Sequence, residues 1–501
     1  MAISTGVPET WHLPLFWANV DGSMAGNLTQ QQPALLIGQM LATGSATADV
    51  PVAVGSPEQG TALFGAGSML DRMIQAWFAV NTTQLLYAIP VADAIAGVKA
   101  NGTIVVAGPA TASGTLSIYI AGQLTQTLVG STDASTAIAT ALAATINGMA
   151  QLPVTATVVS STVTLTCKWK GLTGNDITIL PNYRGAANGE ALPTGVTLTV
   201  TAMASGTTAP TFTNAIAAIQ TQQIRYGAMP YTDAATQTVW ANEFGFGSGG
   251  RWNYTRQKYG FVCNAYRGDY ATALSWGASQ NQPVLSTLFV EPGAPTPVWE
   301  WAAQYAGLAA LAFTDDPARP LQTLELLTCL PAPIQSRFSQ AELNNLGNSG
   351  FAVQAVAPDG NPMILAENTQ YQLNSYGQGD TAFRLLTVLA TLAELLSRMK
   401  SAITSKYPRV KLIPDGTRIG PGQAAVTPGD IKAELISEFL QAQYDGLVAD
   451  TADFIKNLVV EIDDTNPNRV NVLWPPQLAG QLRVFSALAQ FRLLYPTVSL
   501  T

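Results

Sequence analysis

His12 is the only histidine in the 501 residues, so a metal site with two histidines cannot be built within one chain and a familiar Ser/His/Asp triad is not expected. A serine-lysine pair stays open in principle, and His12 itself reads as a packing or hydrogen-bonding residue. Gly245, Gly247, Gly249 and Gly250 match a phosphate-cradling loop in composition alone. No Gly-Lys-Ser/Thr follows, and Arg251, Trp252, Asn253 and Tyr254 do not open an apolar helix as nucleotide sites require, so a flexible loop is expected. The carboxylate pairs Asp315 with Asp316 and Asp463 with Asp464 have the chemistry for acid/base or metal work. Neighbours on a strand point to opposite faces, however, and both pairs lie beside turn-forming prolines, which makes them solvated turns. Cys167, Cys263 and Cys329 are far apart with no CxxC spacing, so they read as small buried apolar residues rather than a disulfide framework or a zinc site. No enzyme is expected, and no catalytic, cofactor-binding or metal-binding residue is assigned. One local basic cluster remains, Arg398, Lys400, Lys406, Arg409 and Lys411, followed by Arg418. Its default reading is a solvated helix end, and its functional one a docking surface for an acidic partner.

The whole chain sets the frame for these side chains. Its length suggests three or four compact units. Charged residues make up 11%, against roughly 25% in an ordinary soluble protein, which suits a subunit whose faces meet other subunits. A net charge of −8 argues against nucleic acid as a direct partner, because phosphate neutralisation needs a basic stripe. Met1 is followed by Ala, Ile, Ser and Thr, so no secretory signal is visible and cytoplasmic synthesis is expected. Leu385 to Leu396 is broken by Thr387, Thr391 and Glu394 and is too short to cross a bilayer, so it reads as a core helix with no direct membrane role.

The elements that must position these residues fall into five segments. Residues 1–28 lack a helical period; within them Leu13, Leu15 and Trp17 alternate with Pro14 and Phe16, an unpartnered strand-like run that invites another chain. Residues 29–95 and 207–379 alternate strands with helices of about ten residues, the pattern of βαβ units in a largely parallel sheet. Residues 96–206 are rich in Thr, Val, Ala and Gly and read as an inserted β-rich domain on the outside, with a hairpin turning at Ser160 and Ser161 and one helix stacking Ile138, Leu142 and Ile146. Residues 380–481 turn helical: Asp380 is expected to cap a helix to about Ser405, and Thr427, Pro428 and Asp430 begin a second, to about Tyr444. Two strands, Leu458 to Ile462 and Val470 to Leu473, follow. Residues 482–501 form an apolar, strand-like C-terminal arm. The fold class is α/β and α+β multidomain with extended arms.

Several stretches spread over the chain resemble the contractile tail sheath proteins of Mu-like bacteriophages. They are the arm with Pro14, Leu15, Phe16, Asp21, Ser23 and Gly26, where Asn19 replaces a commonly acidic residue; Lys170-Gly171 with Gly174-Asn175-Asp176-Ile177; Asp316 to Leu321; Tyr407-Pro408-Arg409 through Asp415 to Gln423 and on to Thr427-Pro428; Val459-Val460-Glu461, Asn468-Arg469-Val470 and Gln490-Phe491. The resemblance implies a homo-oligomer of six-membered rings stacked helically around a tail tube, contracting when a baseplate meets a host, with a tail terminator as further partner. It implies a virion tail protein assembled in the host cytoplasm. By the same resemblance Leu13, Leu15, Trp17, Leu482, Val484 and Phe491 belong to arms that add strands to neighbouring subunits. Lys406, Arg409, Lys411 and Lys432 are the candidates for tube contact, on grounds of charge. A phage-derived contractile bacteriocin is the alternative within this class; a carbohydrate-binding or adhesive surface protein is the alternative outside it.

Overall fold

The computed structural model of the chain describes residues 32–418, 420–491 and 493. The N-terminal arm with His12, Leu13, Leu15 and Trp17 lies outside them. The first strand, β1 (Ala34–Gln39), is buried at all six positions, as a parallel strand covered on both faces must be. After β2 (Val52–Val54) come α1 (Pro57–Phe64), capped by Ser56, and α2 (Met69–Phe78), capped by Ser68, whose hydroxyl accepts from Asp71 N. Then β3 (Leu86–Val91) pairs in parallel with β1.

The inserted segment makes β4 (Asn101–Ala107), β5 (Gly114–Ile120), β6 (Gln123–Val129), α3 (Ser135–Gly148), β7 (Val154–Val159), β8 (Thr162–Cys167), β9 (Ile179–Pro181) and β10 (Thr197–Ala204). They form two antiparallel sheets, ordered β10-β4-β8-β7 and β6-β5-β9. The hairpin between β7 and β8 turns at Ser160, which sits at φ +55°, and Ile138, Leu142 and Ile146 are the buried stripe of α3. Entry and exit of the segment are tied together: Val98 N donates to Thr207 O at 3.4 Å and Thr207 N to Val98 O at 3.3 Å. An insertion whose ends meet leaves the surrounding pattern intact.

The chain returns through α4 (Thr213–Ile219), β11 (Tyr226–Ala228), α5 (Ala234–Phe244), β12 (Phe261–Arg267), α6 (Tyr270–Ala278), β13 (Leu285–Val290), α7 (Val298–Asp315), α8 (Gln340–Asn348), β14 (Phe351–Val356) and β15 (Pro362–Ala366). The sheet has the order β15-β14-β13-β12-β11-β1-β3-β2 and is parallel throughout except for its two edge strands. From β1 the chain goes one way to β3, and β11 onward lies on the other side. Strands such as β1 and β13 are buried at every position, as strands covered on both faces are, and the helices pack in two sets, α2 on α7 and α6 on α8.

The last region holds α9 (Leu386–Lys406), β16 (Lys411–Leu412), β17 (Ala425–Val426), α10 (Pro428–Tyr444), β18 (Val448–Ala449), α11 (Thr451–Asn457), β19 (Val459–Ile462), β20 (Val470–Leu473) and β21 (Gln477–Leu478). Thr427 and Asp430 form a full capping box on α10. The expected cap at Asp380 is not there: α9 starts six residues later behind Leu385, without a side-chain cap. Asp380 instead accepts from Ala382 N at 3.1 Å and from the Tyr371 hydroxyl at 2.6 Å, closing a local turn. One buried apolar cluster runs from the large sheet into the insert and along α9 as far as Ala393; a second, with Leu395, Leu435, Phe439 and Phe454, fills the C-terminal region. The architecture is mixed α/β and multidomain.

Candidate functional site

Open sheets of this winding commonly bind ligands where the strand order reverses, at the carboxyl ends of the strands. At that end, past β11 and β12, lies a cleft of about 300 Å³ bordered by Tyr231, Arg267, Trp276 and, from the insert, Leu172, Thr173 and Asp176. Asp176 acts as a strut rather than a catalytic acid. Its carboxylate accepts from Arg267 Nη1 at 2.9 Å and from Val298 N at 2.7 Å, and burial pushes its pKa up against the pull of Arg267. Asn175 clasps Gly206 with two hydrogen bonds, of 2.8 and 3.0 Å, and a Cβ on Gly174 would meet Ala100 Cβ at 2.9 Å. Within the Lys170 to Ile177 motif, Asp176 therefore fastens the segment to β12 and α7, while Gly174 and Asn175 close it on itself.

The glycine-rich loop is pinned at its base. Arg251 is buried and donates to Glu243 Oε1 and to the carbonyls of Ile219 and Gln222, each at 2.9 Å; Arg256 holds both Glu243 oxygens at 2.8 Å. Burial draws the Arg251 pKa down to about 10. All three cysteines are buried, and burial raises the Cys167 thiol to about 12, so its thiolate is disfavoured. Among the described residues no group of three or more His, Cys, Asp or Glu is placed to hold a metal.

The basic cluster is spread over a helix end and is partly neutralised by its neighbours. Lys406 pairs with Glu434 on α10, and Arg398 with Glu394 and Asp445. Lys411 donates to Gln423 Oε1 at 2.9 Å. Lys432 is half-buried on α10, whereas Arg409 is exposed and has no ion pair among the described residues. Of the four candidates, only Lys406 has an ion pair among the described residues, and Arg409 and Lys411 are two positions apart in the chain.

Two surfaces have the character of assembly elements. The β19–β20 hairpin is a two-stranded sheet with Val459, Val472 and Leu473 exposed; such a pair is marginal alone and offers open edges. Beyond β21, the described residues up to 491 form no strand, and Leu482, Val484, Phe485, Leu488 and Phe491 are exposed. Sequence reasoning missed the buried pair Arg72–Glu300 and the partly buried pair Arg483–Glu367. Arg483 carried a signal, a charge inside an apolar run; Arg72 and Glu300 did not.

A phage tail sheath C-terminal domain model matches residues 378–492. The chain is 37% identical over 494 residues to the Mu-like prophage FluMu tail sheath protein of Haemophilus influenzae, covering 98% of this chain and 100% of that one. Two solved sheath tail proteins are more distant in sequence. That of Desulfitobacterium hafniense has 13% identity and a TM-score of 0.48, covering 93% of this chain and 96% of its own. That of Listeria innocua has 12% and 0.47, covering 90% and 92%.

Proposed function

The chain belongs to the tail sheath proteins of Mu-like phages, and from that premise we propose that it is the repeating subunit of a contractile sheath that drives a tail tube through the host envelope for genome delivery. The carrying observation is identity of 37% along 98% of the chain, which extends through both the large sheet and the C-terminal region. The protein is a structural component of the virion tail and associates with copies of itself. Its relative is a prophage tail protein, which favours the phage sheath over the bacteriocin.

In finer detail, six subunits form a ring and rings stack helically around the tube, with baseplate and terminator at the ends and assembly in the host cytoplasm. Residues 29–95 and 207–379 form the body, 96–206 the outer domain and 380–481 the inner one. Leu13, Leu15 and Trp17 in one arm and Val484 and Phe491 in the other add strands to neighbours; the open edges of the β19–β20 hairpin support this as acceptors. A head-to-tail contact that does not close generates an open helix, and contraction needs no nucleotide when weaker interfaces repack into stronger ones. Negative-stain microscopy of the purified full chain is the test. Tubes or stacked rings are expected, and dispersed monomers at high concentration would overturn the reading.

A further inference from the structure

The exposed apolar C-terminal segment starts with an inward-turned charge. Arg483 lies between Leu482 and Val484, whose side chains are exposed, yet its guanidinium grips Glu367 through both nitrogens, Nη1 donating to Oε2 at 2.9 Å and Nη2 to Oε1. The Glu367 side chain is fully buried and has no other ion pair among the described residues. Its backbone carbonyl accepts from Leu386 N at 3.0 Å, at the start of α9.

Neighbouring residues reinforce the grip. Gln481 Nε2 donates to Ala318 O at 2.6 Å, and its Oε1 accepts from Arg483 Nε at 2.8 Å. Just upstream, Ala479 N donates to Leu447 O at 3.0 Å and β21 pairs with β18. Up to Arg483 the chain is therefore fastened to both the large-sheet body and the C-terminal region. From Val484 to Phe491 it makes no hydrogen bond to the rest of the described residues.

We propose that Arg483 is the fixed root of the C-terminal arm, its fork on Glu367 aiming the arm out of the junction between the two bodies, so that the segment donated to a neighbouring copy begins at Val484. Withdrawing Arg483 would strand a buried carboxylate, which is strongly disfavoured, so the root stays with its own subunit in every state of the lattice. A planar guanidinium fixes direction as well as charge, which a lysine cannot do. Arg483 is a positioning residue, and its role rests on the sheath reading.

The test separates folding from aim. Arg483→Met alone should lower the melting temperature, because Glu367 is left without its cation. The double variant Glu367→Gln/Arg483→Met removes both charges and should regain most of the melting temperature. Its pelletable polymer should nevertheless fall by roughly tenfold relative to wild type. Wild-type polymer yield from the double variant would overturn the proposal. Truncations read the same root without polymer: ending the chain at Arg483 should preserve the melting temperature and ending it at Gly480 should lower it. Equal melting of the two truncations would also overturn it. If the wild type itself forms no tubes, the sheath reading fails, and the truncation melts still decide whether the root is built as described.

Discussion

Asp463 takes four hydrogen bonds at the β19–β20 turn: the Thr465 hydroxyl at 2.7 Å, Asn471 Nδ2 at 2.9 Å, Thr465 N at 2.9 Å and Asn466 N at 3.0 Å. The Thr465 hydroxyl above all, then Asn471, holds its pKa well below the ordinary 3.8. A depressed carboxylate stabilises the folded form above its unfolded pKa and loses that contribution as pH falls through the folded one. Amides of the hairpin should therefore exchange faster, relative to those of α10, as pH drops below about 4. Asp463→Asn should flatten this dependence, and an unchanged pH profile in that variant would contradict it. Arg72 offers a larger effect. It donates to Glu300 at 2.9 Å through Nε and to Ala121 O at 3.2 Å, with both charged partners buried. Arg72→Met strands Glu300, whose pKa burial already raises. Urea denaturation should show a loss of roughly 3–5 kcal/mol. Local devices such as the Thr427–Asp430 box were legible because a cap and its partner are three residues apart. Arg72 and Glu300 are 228 apart, so no window of sequence holds both.

At the scale of elements, α9 couples the two apolar clusters. Its 21 residues span roughly 30 Å; Leu386, Leu389 and Ala393 pack into the first cluster and Leu395 into the second. Ser397→Pro removes a backbone donor and clashes with the preceding turn. It should split thermal unfolding into two transitions, and a single transition at the parent temperature would show that α9 is not the coupling rod. The start of this helix was misread because Asp380 has cap chemistry but spends it on Tyr371 and Ala382. The basic cluster was legible as charge and not as pairs, since Glu434 arrives from another helix. Charge reversal is therefore cleaner at Arg409 and Lys411 than at Lys406, where a glutamate would face Glu434. Arg409→Glu/Lys411→Glu should keep the melting temperature and reduce co-sedimentation with an acidic tube, more so at low salt. Unchanged co-sedimentation would exclude this surface.

At the scale of the whole molecule, strand-helix alternation made the large sheet readable, because buried parallel strands and ten-residue helices have distinct periods. The strands β2, β14 and β15 and the helices α1 and α8 went unseen; β2 and β15 pair antiparallel at the two edges, outside the alternation, whereas β14 is a buried parallel strand that continues it. Composition set residues 96–206 apart in the sequence but did not show how firmly they are seated. Trp169 of the insert meets Trp299 of α7 edge to face at 5.4 Å, Arg267 holds Asp176, and Tyr183 donates to Pro331 O at 2.6 Å. The buried cluster passes through this contact without a break. Excising residues 99–206 is geometrically easy, because Val98 and Thr207 are already bridged. It would nonetheless expose the faces of Trp299 and leave Arg267 without its carboxylate. The insert has the better prospects alone: two sheets closed over Ile138, Leu142 and Ile146 make a core of its own. Circular dichroism melts should then be asymmetric, with the isolated 96–206 segment unfolding cooperatively and the excised remainder melting well below the parent. A remainder that melts at the parent temperature would show that the insert is an appendage, and that the Trp169–Trp299 contact contributes little to the body it rests on.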